Sequence, residues 1–567
     1  MRRVVAGMFL IFLPLMSEAQ SAPEIEAVLG IMGVMSVEEA DAEEVERLTG
    51  VMRNPVRINA ASRSSLESSG LFSAYQIASL LDYRSRHGDI MSLTELSVID
   101  GFTRLSAESL RYFVSFVPSA GSKVKRVDAD AAFRSNVKLS DENVQCNYAM
   151  KGKLSVNDVL DISFSTSRPY DAADAFPSMW TACLGWEHRY GKILVGDFNA
   201  RFGQGLCVWN TMTFSNLSSP SSFMRRPSGI SRSYSFTGTY AMRGIATDMR
   251  LGRWRLSCVL SSPDLKTDAR LSRRAPMAGF TRYFRYGHAG LTHYMEFSDI
   301  DRAYFRIPEM RTSANASFCF RGVNVFGEGM YDWVAARCSM GGGFETRLGG
   351  FASMASLVRF LPDKDEHGWA VGAEISRKNH NAVLSADVIC HPSGKAGSAG
   401  NALQLKTQAR WRWSITELIS LELRLSERFR TWGRPFRTDI RAHIDVKMGA
   451  WSAAARLNAL KCAEYGVLGY VEASYQGVHG LKLYLRQGLF RIDEWDDRIY
   501  VYERDAPGSF TVPAFYGRGV WTSAYASWRY ARWGSLYVRA SYTAYPMMRE
   551  KKKPGKAELK LQCMLHF

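Results

Sequence analysis

AELKLQCMLHF, residues 557–567, decides how this chain is read. Ala557, Leu559, Leu561, Cys563, Leu565 and Phe567 form one series, and Glu558, Lys560, Gln562, Met564 and His566 the other, with Met564 the only apolar member of the second. Alternation with period two describes a strand with one apolar and one polar face. The scheme recurs upstream. In LQLKTQARWRW (403–413) Leu403, Leu405, Thr407, Ala409, Trp411 and Trp413 face one way, and Gln404, Lys406, Gln408, Arg410 and Arg412 the other. No soluble core accepts that second set. Leu421, Leu423 and Leu425 then alternate with Glu422, Arg424 and Ser426, and Leu481, Leu483 and Leu485 with Lys482, Tyr484 and Arg486.

Strand patterns of this kind run from about residue 125 to 567 without a sustained amphipathic helix. An open sheet of that size exposes its edges, and a parallel sheet requires crossovers. Closure removes the edges. In a bilayer it also satisfies every ladder hydrogen bond and turns alternate residues to lipid and to a polar lumen. The expectation is a multidomain protein, a small all-α domain followed by a large antiparallel transmembrane β-barrel over 125–567. At roughly 20 to 25 residues per strand and connection the barrel holds about 18–22 strands. Trp411, Trp413, Trp528, Tyr530, Trp533 and Tyr537, near strand ends, suit interfacial girdles. The mean hydropathy of -0.18 is compatible, because only half of each strand meets lipid. A final strand closing on Phe567 resembles the C-terminal signal that outer-membrane barrels present to their assembly machinery. Outer-membrane lipid and, during biogenesis, that machinery are therefore the expected partners.

Three segments precede the barrel. Residues 1–19 read as a secretory signal peptide, with Arg2 and Arg3 before an apolar run and a small-x-small site at Ser17-Glu18-Ala19. Residues 20–52 carry eight acidic side chains and read as an acidic helical arm or linker. Residues 53–118 contain NPVRINAASRSSLESSGLFSAYQIASLLDYRSRHGDIMSLTELSVIDGFTRLSAESLRYFVSFVP, whose apolar spacing and glycine stops predict short helices in two successive helix-turn-helix units.

Ile58-Asn59-Ala60-Ala61, Leu66, Tyr83-Arg84 and Gly88 resemble the paired helix-hairpin-helix domain of ComEA-type DNA-uptake receptors. The resemblance implies hairpin glycines that let backbone amides approach DNA phosphates, which makes Gly70, Gly101, Arg84 and Arg104 the candidate phosphate contacts. Leu71-Phe72 and Phe102-Thr103 replace the second hairpin glycine, and bulk there opposes close approach. KILVGDFNARFGQGLCVWN (192–210) and RDAPGSFTVPAFYGRGVW (504–521) resemble motifs of large Bacteroidetes outer-membrane proteins that join such a domain to a barrel. That resemblance implies an outer-membrane barrel with the helical domain in the periplasm, and DNA or a periplasmic protein as its partner.

The formal charge of +17, despite the acidic arm, concentrates positive charge in the barrel. A basic lumen or rim attracts nucleic acid, lipopolysaccharide phosphates or anionic solutes. Asp197, Arg201, Gln204, Arg410, Arg412 and Arg424 are the candidate lumen residues. Nine cysteines lie without a CxxC pair, and no local arrangement pairs a nucleophile with a base. No catalytic, metal or cofactor site is expected. Two functions remain: a conduit whose helical domain engages cargo, with DNA as the sharpest candidate, or a non-transporting membrane anchor for a protein-interaction module.

Overall fold

The computed structural model describes residues 22–567 apart from 103, 120–126, 141–142, 158, 171, 173–174, 189, 210–216, 234, 237–240, 263–272, 301–303, 399, 478–479 and 547–553. The signal peptide expected over 1–19 lies outside the described residues.

From Val127 onward the chain is a closed antiparallel barrel. The strand Lys556–His566 pairs along its whole length with Val127–Ser140. Phe567 completes the seam by exchanging backbone hydrogen bonds with Ala129, 2.8 and 3.0 Å long. The ring has 24 through-going strands, with Gly229–Arg232 a short extra strand on Gly191–Arg201, which itself pairs directly with Met242–Leu251. This corrects the expected 18–22. At one end of the barrel the strands are joined by turns such as Gly252-Arg253, Arg285-Tyr286 and Arg321-Gly322, so each strand takes less chain than was allotted to it. With strands about 4.8 Å apart and tilted by about 40°, the ring is roughly 45–50 Å across between backbones. What fills it therefore matters.

The side chains are sorted as the alternation demands. Leu561 is 43% exposed on the outer face while Gln562 is 1% exposed on the inner one. Leu423, Leu425, Leu483, Leu485 and Leu489 are likewise exposed, and Arg424 and Arg486 buried. Trp411, Trp528, Tyr530, Trp533 and Phe567 are exposed near the short-turn end, where Trp533 stacks on Phe567.

The two ends differ. Turns of two to four residues join the strands at the end where Val127 begins and His566 finishes. At the other end several connections are much longer, and two of them, between Arg201 and Gly229 and between Ile492 and Gly517, pack buried side chains against the inner wall. These connections carry much of the two quoted motifs.

The N-terminal region forms six helices: α1 (Ala22–Met32), α2 (Ala42–Arg53), α3 (Arg63–Ser69), α4 (Ala74–His87), α5 (Leu93–Val98) and α6 (Arg104–Ser109). Gly70 caps α3 in the left-handed conformation at φ 64°, and Ser73 with Gln76 forms a capping box that starts α4. Ser92 caps α5 by accepting from the Glu95 amide. A short parallel pair, Val56–Arg57 with Val114–Ser115, ties the ends of this region together. The arm and the paired helices are not separate in packing: Val28, Leu29, Val45, Leu48 and Met52 share one core with Ile58, Leu66, Leu80, Leu96 and Phe113.

Candidate functional site: a basic lumen and its helical plug

Asn59, at the centre of the INAA motif, shows why the helical domain is rigid. Its side-chain amide is buried and bonds both backbone groups of Ile90, donating to the carbonyl (2.9 Å) and accepting from the amide (2.8 Å). Arg84 serves the same end by donating to the Ala61 carbonyl at 2.8 Å. Tyr83 reaches Glu95 at 3.0 Å. The motif residues thus hold the two helical units together.

The domain sits within the ring of strands, because its polar side chains meet wall residues around the whole circumference. Glu46 pairs with Lys151, and Glu44 with Arg201 at 3.1 Å. Glu67 meets Arg255 at 3.0 Å, and Ser68 accepts from Lys192 at 2.7 Å. Tyr75 packs on Tyr286, and the Gly101 carbonyl accepts from Arg347 at 3.2 Å. Glu39 pairs with Arg424, and Glu38 with both Arg441 (3.1 Å) and Arg456 (2.6 Å). Glu38 and Glu39 meet strand centres, whereas Tyr75 and Gly101 meet wall residues close to the short turns. The paired helices therefore occupy the short-turn mouth and the arm lies deepest.

Charge complementarity, rather than greasy packing, makes this interface. The domain's apolar core takes in Tyr502 and Phe510 of the second inward connection but no residue of the strands. Burial pushes the Glu44 carboxyl up, but Arg47 and Arg201 outweigh it and hold the group at about 2. Glu38 is likewise held well below the ordinary carboxylate range, with burial opposed by Arg441 and Arg456, and Glu39 is lowered, with burial opposed by Arg424 and Lys406.

The six lumen candidates fall as follows. Arg410 donates to the Met35 carbonyl and to Asn381, Arg412 pairs with Glu422 at 2.7 Å, and Arg424 holds Glu39. Arg201 holds Glu44. Asp197 is fully buried in a two-bond pair with Arg243, both contacts 3.0 Å, where the first inward connection leaves the wall. Gln204 fastens that connection, its amide donating to Glu328 at 2.7 Å and its side chain accepting from the Arg225 amide at 2.9 Å. A cavity of about 310 Å³ lies beside the arm, lined by Glu38, Arg410, Arg412, Arg441, Arg456 and Arg486 among others.

The candidate phosphate contacts are not brought together. The Gly70 amide donates to Glu67 O, the Leu71 amide to Ser69 Oγ and the Phe102 amide to Ile99 O. The Leu71 carbonyl is taken by Arg226 at 2.9 Å. Arg84 is half-buried, Arg104 is exposed, and Thr103 lies outside the described residues. The arm glutamates were not singled out as site residues by sequence reasoning; the signal was the opposed charge of arm and barrel. Among the described residues no group of three or more His, Cys, Asp or Glu is placed to hold a metal.

No family model and no curated protein matches this sequence. Among solved structures, the chain is similar to the siderophore receptor PirA from Pseudomonas aeruginosa (6% identity, TM-score 0.40, 78% of this chain and 81% of that one). It is also similar to the P pilus usher PapC translocation pore (8%, 0.40, 77% and 99%) and to the copper transporter OprC (7%, 0.41, 78% and 80%). The barrel is read from the strand pairing of this chain, and nothing about cargo follows from these likenesses.

Proposed function

We propose that the protein is an outer-membrane conduit stoppered by its own N-terminal domain, which engages the cargo, with DNA as the candidate. The outward apolar face, the aromatic girdle and the asymmetry of short turns and longer connections support outer-membrane insertion with the short-turn end in the periplasm. On that reading the helical domain occupies the periplasmic mouth. The observation that carries the proposal is the polar interface: the domain's core takes in no residue of the strands and ion pairs hold it to the wall, so leaving the lumen uncovers only the face packed on Tyr502 and Phe510.

Conductance across a planar bilayer tests it. The wild-type protein should pass little current, and E38Q/E39Q/E44Q should raise the open fraction several-fold, because each neutralised carboxylate strands a wall cation. A silent variant that retains barrel migration would reject the conduit. For DNA, the full-length protein in detergent should bind unrelated duplexes with similar affinity and a steep loss with salt, and Arg104→Ala should weaken all of them alike. The alternative, an anchor for a protein-interaction module, is favoured by Met91 and Val98, which are 63% and 73% exposed on the helical domain. Capture of a periplasmic protein by this face, with no current in any variant, is its expected signature.

A further inference from the structure

Like charges directly opposite each other destabilise a sheet. Yet the register sets Arg410 opposite Arg424 and Arg424 opposite Arg441, and four residues along sets Lys406 opposite Arg428 and Arg428 opposite Arg437. With strands about 4.8 Å apart, each row presents three cations across about 10 Å of inner wall. The wall carboxylates nearest the first row are engaged by other side chains as well. Glu422 is taken by Arg412, and Asp439 accepts from Asn458 at 3.2 Å. Among the described residues, every ion pair of Arg424, Arg441 and Arg456 is made with Glu38 or Glu39 of the arm. Among the described residues the Arg428 side chain makes no hydrogen bond or ion pair, and its Nε is buried.

A wall built only to seal a plug has no need of this arrangement, since apolar packing would hold more cheaply than buried ion pairs. Here the groups that pair with Arg424, Arg441 and Arg456 are carried on the arm, whose apolar core takes in no residue of the strands. Guanidinium groups in series match the repeated anions of a phosphate backbone. The cavity beside Glu38 leaves room for an anion to approach while the arm is docked.

We propose that the arginine row is a binding site for a linear phosphate backbone, nucleic acid or inorganic polyphosphate, and that Glu38 and Glu39 occupy it as internal competitors, so that binding the polyanion releases the arm. The inference deepens the conduit reading by naming the wall site and the trigger. A ligand that binds only the undocked state shifts the protein towards it by mass action.

The test uses the full-length protein in detergent, with a single-stranded oligonucleotide, a polyphosphate of matched charge and a neutral dextran. Barrel migration on gels checks each variant for folding. R424Q/R441Q/R456Q should weaken polyanion binding by about tenfold or more, whereas the R424K/R441K/R456K variant, which keeps the charge but not the forked donors, should lose less. E38Q/E39Q should strengthen binding several-fold, and in the wild type either polyanion, but not dextran, should speed hydrogen exchange over 36–46. Binding of the oligonucleotide alone supports the site and assigns it to nucleic acid. Affinity indifferent to the arginines, weaker binding in E38Q/E39Q, or unchanged exchange on saturation overturns it. If polyanions free the arm while the reconstituted protein stays electrically silent, the conduit reading falls and the site stands.

Discussion

At the scale of single residues, position on the strand decides what a side chain is worth. Leu561 and Gln562 are neighbours in sequence and opposites in environment, so Leu561→Arg should impair membrane insertion by about 2–4 kcal/mol if the site lies near the bilayer centre, and Leu561→Asp by less. Heat-modifiable migration after refolding into lipid measures the loss. Gln562 instead donates to the Pro507 carbonyl at 2.7 Å inside the lumen. Asn59 makes a different point. Asn59→Ala leaves both backbone groups of Ile90 buried without partners and should destabilise the helical domain by about 2–4 kcal/mol, with barrel migration unchanged. Its effect is read from hydrogen exchange over 56–115. The motif that resembles a DNA-binding domain was therefore legible in sequence, but the work of its central residue was not, because its partner at Ile90 lies 31 positions away.

At the scale of elements, the arm is the part most open to test. The docked carboxyls of Glu38, Glu39 and Glu44 titrate below the ordinary glutamate value of 4.5, and Glu44 at about 2. Groups with depressed pKa stabilise docking fully above their ordinary pKa and lose that contribution as pH falls through the docked value. Exchange over 36–53 should therefore be insensitive to pH-driven release from neutrality down to about 4.5, then show progressive loosening towards pH 2, once intrinsic exchange rates are corrected. Gly33 provides a steric counterpart. It has φ 69°, its carbonyl accepts from the Ser219 amide at 3.0 Å, and a Cβ there would lie 2.6 Å from the Ser222 backbone nitrogen. Gly33→Ala should separate α1 from the first inward connection and raise protease cleavage near Met35, with little change in the barrel itself.

At the scale of the whole molecule, a 24-strand ring is too wide for wall side chains to fill. The lumen is occupied by the helical domain together with the two inward connections. The second is pinned to the strands by Arg504 with Glu472 (2.8 Å), Lys560 with Asp505, and Arg539 with Glu503. It is continuous with the wall at both ends, whereas the helical domain joins the barrel only through the chain before Val127. Neutralising Glu38, Glu39 and Glu44 should thus open the pore only in part, leaving a residual restriction that the inward connections set, and single-channel amplitude in the variant is the measure.

The sequence by itself determined the barrel, its direction of sidedness along each strand, the helical domain and the basic lumen, because period-two alternation and local glycine and capping signals are written within a few residues of where they act. Strand number was less legible, since two-residue turns leave no gap in the alternation. Only the tertiary structure decided where the acidic arm goes. Glu38 meets Arg441 and Arg456 more than four hundred positions later, and such pairs leave no local pattern: a run of glutamates reads as a solvated arm until closure of the ring brings a row of arginines around it.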